Sequence, residues 1–465
     1  MVDRVLKALT DYVGRITARS IPTGVSMEVR RRIFDSLGVA LGSLNVGSTR
    51  AMLERFSGLG LGSAGGRPPS STLWGLGYML NPFDAVFANG FMVRYLDFND
   101  TYLSREPLHP SDVVPAILSM SEAYGIPMNE AMAAIAIAYD VGMTLCDAGS
   151  LRKHGWDHVN YTGIAVAASL AWLLKESGEQ AANAISIFTT SSLATRQTRV
   201  GELSHWKGAA AASSSRDAAF SVQLSSFGFT GPSSPFEGEM GFIRQLLSGE
   251  FDVDRIASLA ADGNGSRILE SYIKPYPVEY HIQTAVDAAL RIRKRVVDAG
   301  KIRSIAVTTF SAANDIVVKD KWNPTNKETA DHSMPYLIAY ALARGEPWLE
   351  AYSMQAYSDP AIRRLMKVQT YGVTEEFDAL YPSSTPVEIE VRLEGGGVER
   401  ERVDWAKGHP KNPLSDEELR SKFERLATGL PVDVDRIYGT LLKSQSMPDI
   451  KEVIRLLNIA GRRGG

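Results

Sequence analysis

Five stretches gather side chains that can move protons or hold anions. "RYLDFNDTYLSREPLHPSD", residues 94–112, sets Asp97, Asn99, Asp100, Thr101, His109 and Asp112 among large apolar groups. Asp112 is placed to cap a helix running "VVPAILSMSEAYG", with Pro115 in its first turn, where a missing N–H costs no hydrogen bond. His109 then lies just ahead of a helix N-terminus, an end that favours bound anions and a neutral imidazole. "KHGWDHVNYTG", residues 153–163, brings His154, Asp157, His158 and Tyr161 up to an apolar helix. His154 and His158 could share one helical face, but the HExxH pattern of a zinc site is absent. "ATRQTRVGELSHWKGAAAASSSRDAAF", residues 194–220, interleaves Arg196, Arg199, Lys207 and Arg216 with small residues, a setting that suits a carboxylate or phosphate. "YIKPYPVEYHIQTAVDAAL", residues 272–290, clusters Lys274, Glu279 and His281 around prolines ahead of a helix. "KETADHSMPYLIAYAL", residues 327–342, holds Asp331, His332 and Tyr336 at the start of an apolar helix.

Each stretch also has a plain structural reading. These are capped turns, solvated loop histidines, a basic surface, an interdomain turn and, in the last, Thr329 or Asp331 as a helix cap with Tyr336 in the core. Together the five supply acids, imidazoles and lysines, the inventory of general acid–base chemistry on a small polyanionic substrate. No phosphate loop is present, and "GLGLGSAGG" at 58–66 follows no strand pattern, which discounts nucleotide binding.

Composition narrows the class further. The single cysteine, Cys146, rules out an intrachain disulfide and the multi-cysteine sets that hold iron–sulfur clusters or structural zinc. Within "YDVGMTLCDAG" it reads as a small core hydrophobe. A formal net charge of −3 gives no whole-surface attraction to nucleic acid or to an anionic membrane. The opening "MVDRVLKALTDYVGRITARS" patterns as an amphipathic helix and lacks the apolar run and cleavage site of a secretory signal. The most apolar stretches, around 129–146 and 163–174, are interrupted by Asp140 or too short to span a bilayer. The expectation is a soluble, cytoplasmic protein with no nucleic-acid partner, no membrane partner, no cofactor and no metal.

The elements that must position these groups fall into two sets. "SMEVRRRIFDSLGVALGSL" places Val29, Ile33, Phe34, Leu37, Ala40 and Leu41 on one helical face, with Arg30, Arg31 and Arg32 largely off it. "NEAMAAIAIAYDVGMTL" and "GIAVAASLAWLLKESG" are apolar nearly all round and alanine-rich, as suits the middle of a bundle. After about residue 265 the period changes. "KIRSIAVTTFSA" fits a strand, and "VEIEVRLEGGGVERERV" reads as a hairpin with Val387, Ile389, Val391 and Leu393 on one face. The tail is helical again, with Ser415 and Glu418 forming a capping box. The fold class is mainly α: a helical domain over 1–267 and 404–465, with an inserted α/β lid domain over 268–403. Such a junction is a favoured place for a ligand cleft.

At these same clusters the chain resembles the MmgE/PrpD family. The carrying motifs are "RYLDFNDT" with "HPSD", "GWDHVNYTG", "TRQTRVGELSHWKGAAAA", "FTGPSSPFEGEMGF", "YIKPYPVEYHIQTAVDAAL", "KETADHSMPY" and "HPKNPLSDEEL", in order across nearly the whole chain. The family includes 2-methylcitrate dehydratases, cis-aconitate decarboxylases and iminodisuccinate epimerases. The resemblance implies a large helical domain with a smaller α/β lid, a homodimer, no iron–sulfur cluster and a small polycarboxylate substrate. It nominates Asp97, Thr101, His109, His158 and Lys207, with Lys274 and Tyr336 at lid-side and cleft positions. Glu279 and His281 match dehydratase-like members.

The expected reaction is therefore metal-independent dehydration of a 2-hydroxy tricarboxylate such as 2-methylcitrate. The expected roles are His158 as base, Lys207 stabilising enolate-like charge, and Asp97 with His109 on the acid side. Lys274 and His281 would close over the substrate, with Thr101, Glu279 and Tyr336 binding it and Arg199 as a further carboxylate partner. Decarboxylation or epimerisation in the same pocket is the alternative. A non-catalytic binding or scaffold protein would be expected to lack the charged set.

Overall fold

The computed structural model describes residues 2–58 and 69–459, so the glycine-rich segment 58–66 lies, from residue 59 on, outside the described residues. The chain divides into two compact units. The larger comprises Met1–Gly201, His205–Ser271 and Ser415–Gly465; the smaller comprises Glu202–Ser204 and Tyr272–Leu414.

The larger unit is a helix assembly, and its packing follows from small residues. The helices Met128–Ala148 and Val159–Leu173 are buried on almost every face. Met128–Ala148 is long and apolar enough to cross a membrane, and 94% of its most apolar window is buried inside the protein. Its mid-helix Asp140 accepts from the Tyr12 hydroxyl at 2.7 Å and from the backbone N–H groups of Gly265 and Arg267 at 2.7 and 3.0 Å. Those donors offset the cost of burying the carboxyl. Cys146 is fully buried in the same helix. The helix Trp206–Ser226 approaches Pro82–Tyr95 closely. A Cβ on Gly208 would sit 3.2 Å from the Tyr95 Cα, and one on Gly90 would sit 3.0 Å from the Ala212 Cβ. The tail helix Asp416–Leu426 opens on the Ser415/Glu418 capping box and packs Phe423 on Phe34, ring centroids 4.6 Å apart.

One element departs from its sequence pattern. Arg30, Arg31 and Arg32 are all buried on the helix Thr23–Ser43. Arg30 donates to the carbonyls of Leu441 and Ser444, Arg31 pairs with Glu28 and Asp416, and Arg32 pairs with Glu28 and Asp100 while donating to Ser271. Guanidinium groups tolerate burial when their donors are taken up in this way.

The smaller unit holds a four-stranded sheet in the order Gln369–Val373, Ile302–Thr309, Val387–Leu393, Val398–Val403. The first pair is parallel and the others antiparallel. Val387, Ile389 and Val391 are buried, and their partners Val403, Glu401 and Glu399 share that face. The helix Gln283–Arg295 covers it, so Arg291 and Arg295 clasp Glu399 and Glu401 at 2.7–3.1 Å. The unit runs past the hairpin to Leu414 because the following loop folds back. His409 stacks on Tyr272 at 4.6 Å. Gly408, at φ +91°, lies so near the Ile273 carbonyl that a Cβ would be 1.8 Å from it. Only glycine fits there.

Candidate active site

In the larger unit the polar groups of three separate stretches form one buried network. Asp97 follows the C-terminus of the helix Pro82–Tyr95 at φ +53°, a left-handed conformation that Asp tolerates better than most residues. That turn aims its carboxylate back at the helix, where Arg94 donates to Oδ1 at 2.8 Å. Lys207, in the first turn of Trp206–Ser226, reaches Oδ2 at 2.9 Å. The close helix approach at Gly208 brings the two together. Lys207 in turn offers its backbone carbonyl to Arg199 at 3.0 Å.

Arg199 links this pair to the histidines. Its Nε lies 3.0 Å from Asp157 Oδ2, and the Thr198 hydroxyl donates to the same oxygen. The other Asp157 oxygen is 3.2 Å from His158 Nδ1. Burial alone would raise the Asp157 carboxyl, but Arg199 and the hydrogen bond from Thr198 hold it well below the usual carboxylate range. Burial, reinforced by Arg199, Arg94 and Arg196, pushes the His158 imidazole down to about 3 against the opposing pull of Asp157. His158 is therefore neutral, with its proton on Nδ1 toward Asp157 and its lone pair on Nε2. That Nε2 is buried without a hydrogen-bond partner, and so is Arg199 Nη2.

His109 stands beside it, ring centroids 5.6 Å apart. Its Nδ1 lies 2.8 Å from the Asp100 carbonyl and 3.0 Å from the Thr101 hydroxyl. A carbonyl can only accept, so Nδ1 carries the proton and Nε2 the lone pair in the neutral ring. Asp100 also fixes the turn: its Oδ1 accepts from the Ser111 N–H at 2.8 Å and its Oδ2 from the Tyr139 hydroxyl at 2.7 Å.

Asp112 does not cap the next helix. Val114–Tyr124 starts after a short 3₁₀ turn, Pro110–Val113, with Val113 at the cap position and no side-chain cap, although Pro115 does sit in the first turn. Asp112 turns inward instead. It accepts from Asn99 at 2.8 Å and lies 3.9 Å from Arg94, and burial pushes its carboxyl up to about 7. His154 and His158 do not share a helix: Arg152–His154 is a 3₁₀ turn, Gly155 follows at φ +82°, and His158 precedes Val159–Leu173. Arg216 pairs with its neighbour Asp217 at the surface.

The smaller unit carries the other predicted residues. His281 Nδ1 lies 2.7 Å from Glu279, whose second oxygen accepts the His281 N–H, also at 2.7 Å, and His281 Nε2 is 3.3 Å from the Tyr381 hydroxyl. Burial works to raise the Glu279 carboxyl, but His281, His332 and Lys274 beside it hold it below its ordinary value. The Glu279 N–H donates to the Asp331 carbonyl at 2.8 Å, which sets Asp331, paired with Lys327 and His332, beside this group. Neither Thr329 nor Asp331 caps Met334–Arg344; Ser333 does, accepting from the Tyr336 N–H at 3.2 Å. Tyr336 lies in the core against Tyr340 and Tyr357, its hydroxyl donated to the Ala351 carbonyl. Lys274 is buried.

Sequence reasoning did not single out Arg94, and it read Asp112 as a helix cap rather than as an inward-facing group. An arginine three positions before an aspartate at a helix end was a usable signal for the first. Nothing local marked the second.

Models of the MmgE/PrpD N-terminal domain and the MmgE/PrpD C-terminal domain match residues 7–254 and 276–438. The chain belongs to the MmgE/PrpD family. A 2-methylcitrate dehydratase of Cupriavidus necator is 27% identical over 456 residues, covering 91% of this chain and 90% of the relative. An alkylcitrate dehydratase of a Fungal sp. is 28% identical over 441 residues, 86% of this chain and 82% of the relative. The 2-methylcitrate dehydratase of Escherichia coli K12 is 26% identical over 437 residues, 88% and 86%.

Proposed function

We propose that this chain removes water from a small 2-hydroxy tricarboxylate such as 2-methylcitrate, by acid–base chemistry that needs no metal. Its class is that of its relatives, a carbon–oxygen lyase of the 2-methylcitrate dehydratase kind. The observation that carries the reading is His158, a neutral imidazole oriented by Asp157 with its Nε2 buried and unpartnered. That is the state required of a general base before substrate arrives.

In this reading His158 Nε2 takes the proton from the carbon beside a carboxylate. The C–H electron pair becomes the new double bond, and the hydroxyl leaves the adjacent carbon. It leaves as water, with a proton from His109 as imidazolium. A trianionic substrate between two imidazoles favours their charged forms, so His158 gains basicity on binding and His109 gains its proton. Lys207 stabilises the charge that develops on the carboxylate, held in place by Asp97. Asp97 thus takes a different part from the acid role first assigned to it. Its oxygens accept from Arg94 and Lys207, which places it to hold the lysine rather than to reach the leaving group. Arg199 Nη2, buried without a partner, is a donor suited to a substrate carboxylate.

The testing experiment is NMR of the full-length protein with 2-methylcitrate, citrate, cis-aconitate and iminodisuccinate in turn. Loss of the hydroxyl-bearing carbon of 2-methylcitrate is expected. Carbon dioxide release from cis-aconitate, or inversion of iminodisuccinate without turnover of 2-methylcitrate, would replace this reading. The homodimer and cytoplasmic location stay part of the proposal; light scattering after size exclusion reads the first and cell fractionation the second.

A further inference from the structure

The larger unit has a second cluster of cations outside the histidine network. Arg105, Arg152, Lys153 and Arg196 line a cavity of about 870 Å³, with Glu250 and Asp252 the acids on its wall. Lys153 is matched to Glu250 at 2.5 Å. Arg105, Arg152 and Arg196 have no carboxylate within ion-pair distance among the described residues. Arg196 and Arg152 are half-buried, and their mutual repulsion together with burial works against the Arg196 charge. Glu106 is the buried acid closest to them, but its Oε2 accepts only from the Ser150 hydroxyl at 2.9 Å and the Arg152 N–H at 2.8 Å. Its Oε1 has no hydrogen-bond partner. Glu106 and Asp157 offset part of the Arg196 charge at longer range, but none of the three guanidinium groups is ion-paired among the described residues, and together they border a cavity within the size range of small-molecule sites, an arrangement suited to an anion.

We propose that Arg105, Arg152 and Arg196 form a second anion-binding site, for a small ligand presenting two or more carboxylate or phosphate oxygens. Guanidinium forks recognise both kinds of oxygen in the same planar, two-point manner. The site touches both loops that carry the proposed catalytic histidines. Arg105 lies in the loop between Thr101 and His109. Arg196 follows a segment stitched to the loop before His158, where the Arg196 N–H donates to the Gly155 carbonyl at 2.9 Å and the Asp157 N–H to the Ala194 carbonyl at 3.0 Å. The inference does not depend on the reaction proposed above.

Calorimetric titration of the full-length protein with inorganic phosphate, and separately with citrate, tests it. The proteins are wild type, Arg152→Gln, Arg105→Gln/Arg152→Gln and Lys207→Ala. The expected result is binding that weakens about tenfold or more in both arginine variants, as loss of a charge-assisted pair predicts, and persists in Lys207→Ala. Binding of phosphate alone or of citrate alone with that pattern assigns the oxygen type. Absence of binding by either anion, equal binding by wild type and both arginine variants, or loss only in Lys207→Ala would overturn the proposal. Arg105 is exposed, so an Arg105→Gln single variant gives a reading if Arg152→Gln does not fold.

Discussion

Two histidines of this chain are oriented by carboxylates in different company. In the larger unit His158 faces Asp157 at 3.2 Å, and Asp157 is shared with Arg199 and Thr198. In the smaller unit His281 faces Glu279 at 2.7 Å, and Glu279 accepts from no arginine among the described residues. A carboxylate already balanced by a guanidinium can orient an imidazole without charging it, so burial decides and His158 stays neutral. Glu279 has its charge supported by the imidazole itself and by Lys274 and His332. The first arrangement suits a base, and the second suits a contact that holds an anionic ligand.

The contrast can be broken at its strongest point first. His158→Gln should lower kcat/KM for 2-methylcitrate on the order of 10³-fold, read by steady-state kinetics, with the far-ultraviolet spectrum unchanged. Lys207→Ala should cost about 10²–10³-fold, mostly in kcat, because its charge is needed where negative charge develops. Asp157→Asn should cost about 10²-fold, less than removing the imidazole itself, since orientation is lost but the ring remains. His281→Gln, the least costly of these substitutions, should cost about tenfold, carried by KM.

The smallest effect concerns acid. The folded His158 value of about 3 lies below its ordinary 6.5, so its contribution to stability is full above pH 6.5 and is lost as pH falls toward 3. Glu279, lowered from 4.5, gives up its contribution only below that value. Asp112 and Glu106, each raised to about 7, act with the opposite sign as pH rises, so the variant difference is the clean reading. Between pH 6.5 and 5, wild type should lose stability relative to His158→Gln, measured by denaturant unfolding. Parallel curves would show that His158 is not held neutral.

Much of the fold was legible because its signals are local. The alanine-rich helices, the alternating hairpin and the Ser415/Glu418 box are read within a few residues of themselves. The buried arginines of Thr23–Ser43 were not, because their partners Asp416 and the Leu441 and Ser444 carbonyls come from 385 to 414 residues away. The same divide runs through the site. Asp97, His109, His158 and Lys207 stood out by type and motif, whereas Arg94 and Asp112 act through contacts that only packing creates. Tyr336 was ambiguous in sequence, and its buried hydroxyl, bound to a carbonyl, places it among packing residues.

The most direct test of the account is the ultraviolet absorbance of the new conjugated double bond. Wild type and His158→Gln, both dialysed against a metal chelator, would be mixed with 2-methylcitrate. The account predicts steady growth of the signal with wild type and its near-complete loss in the variant. No signal from wild type, a signal that needs metal restored, or equal rates from both proteins would contradict it.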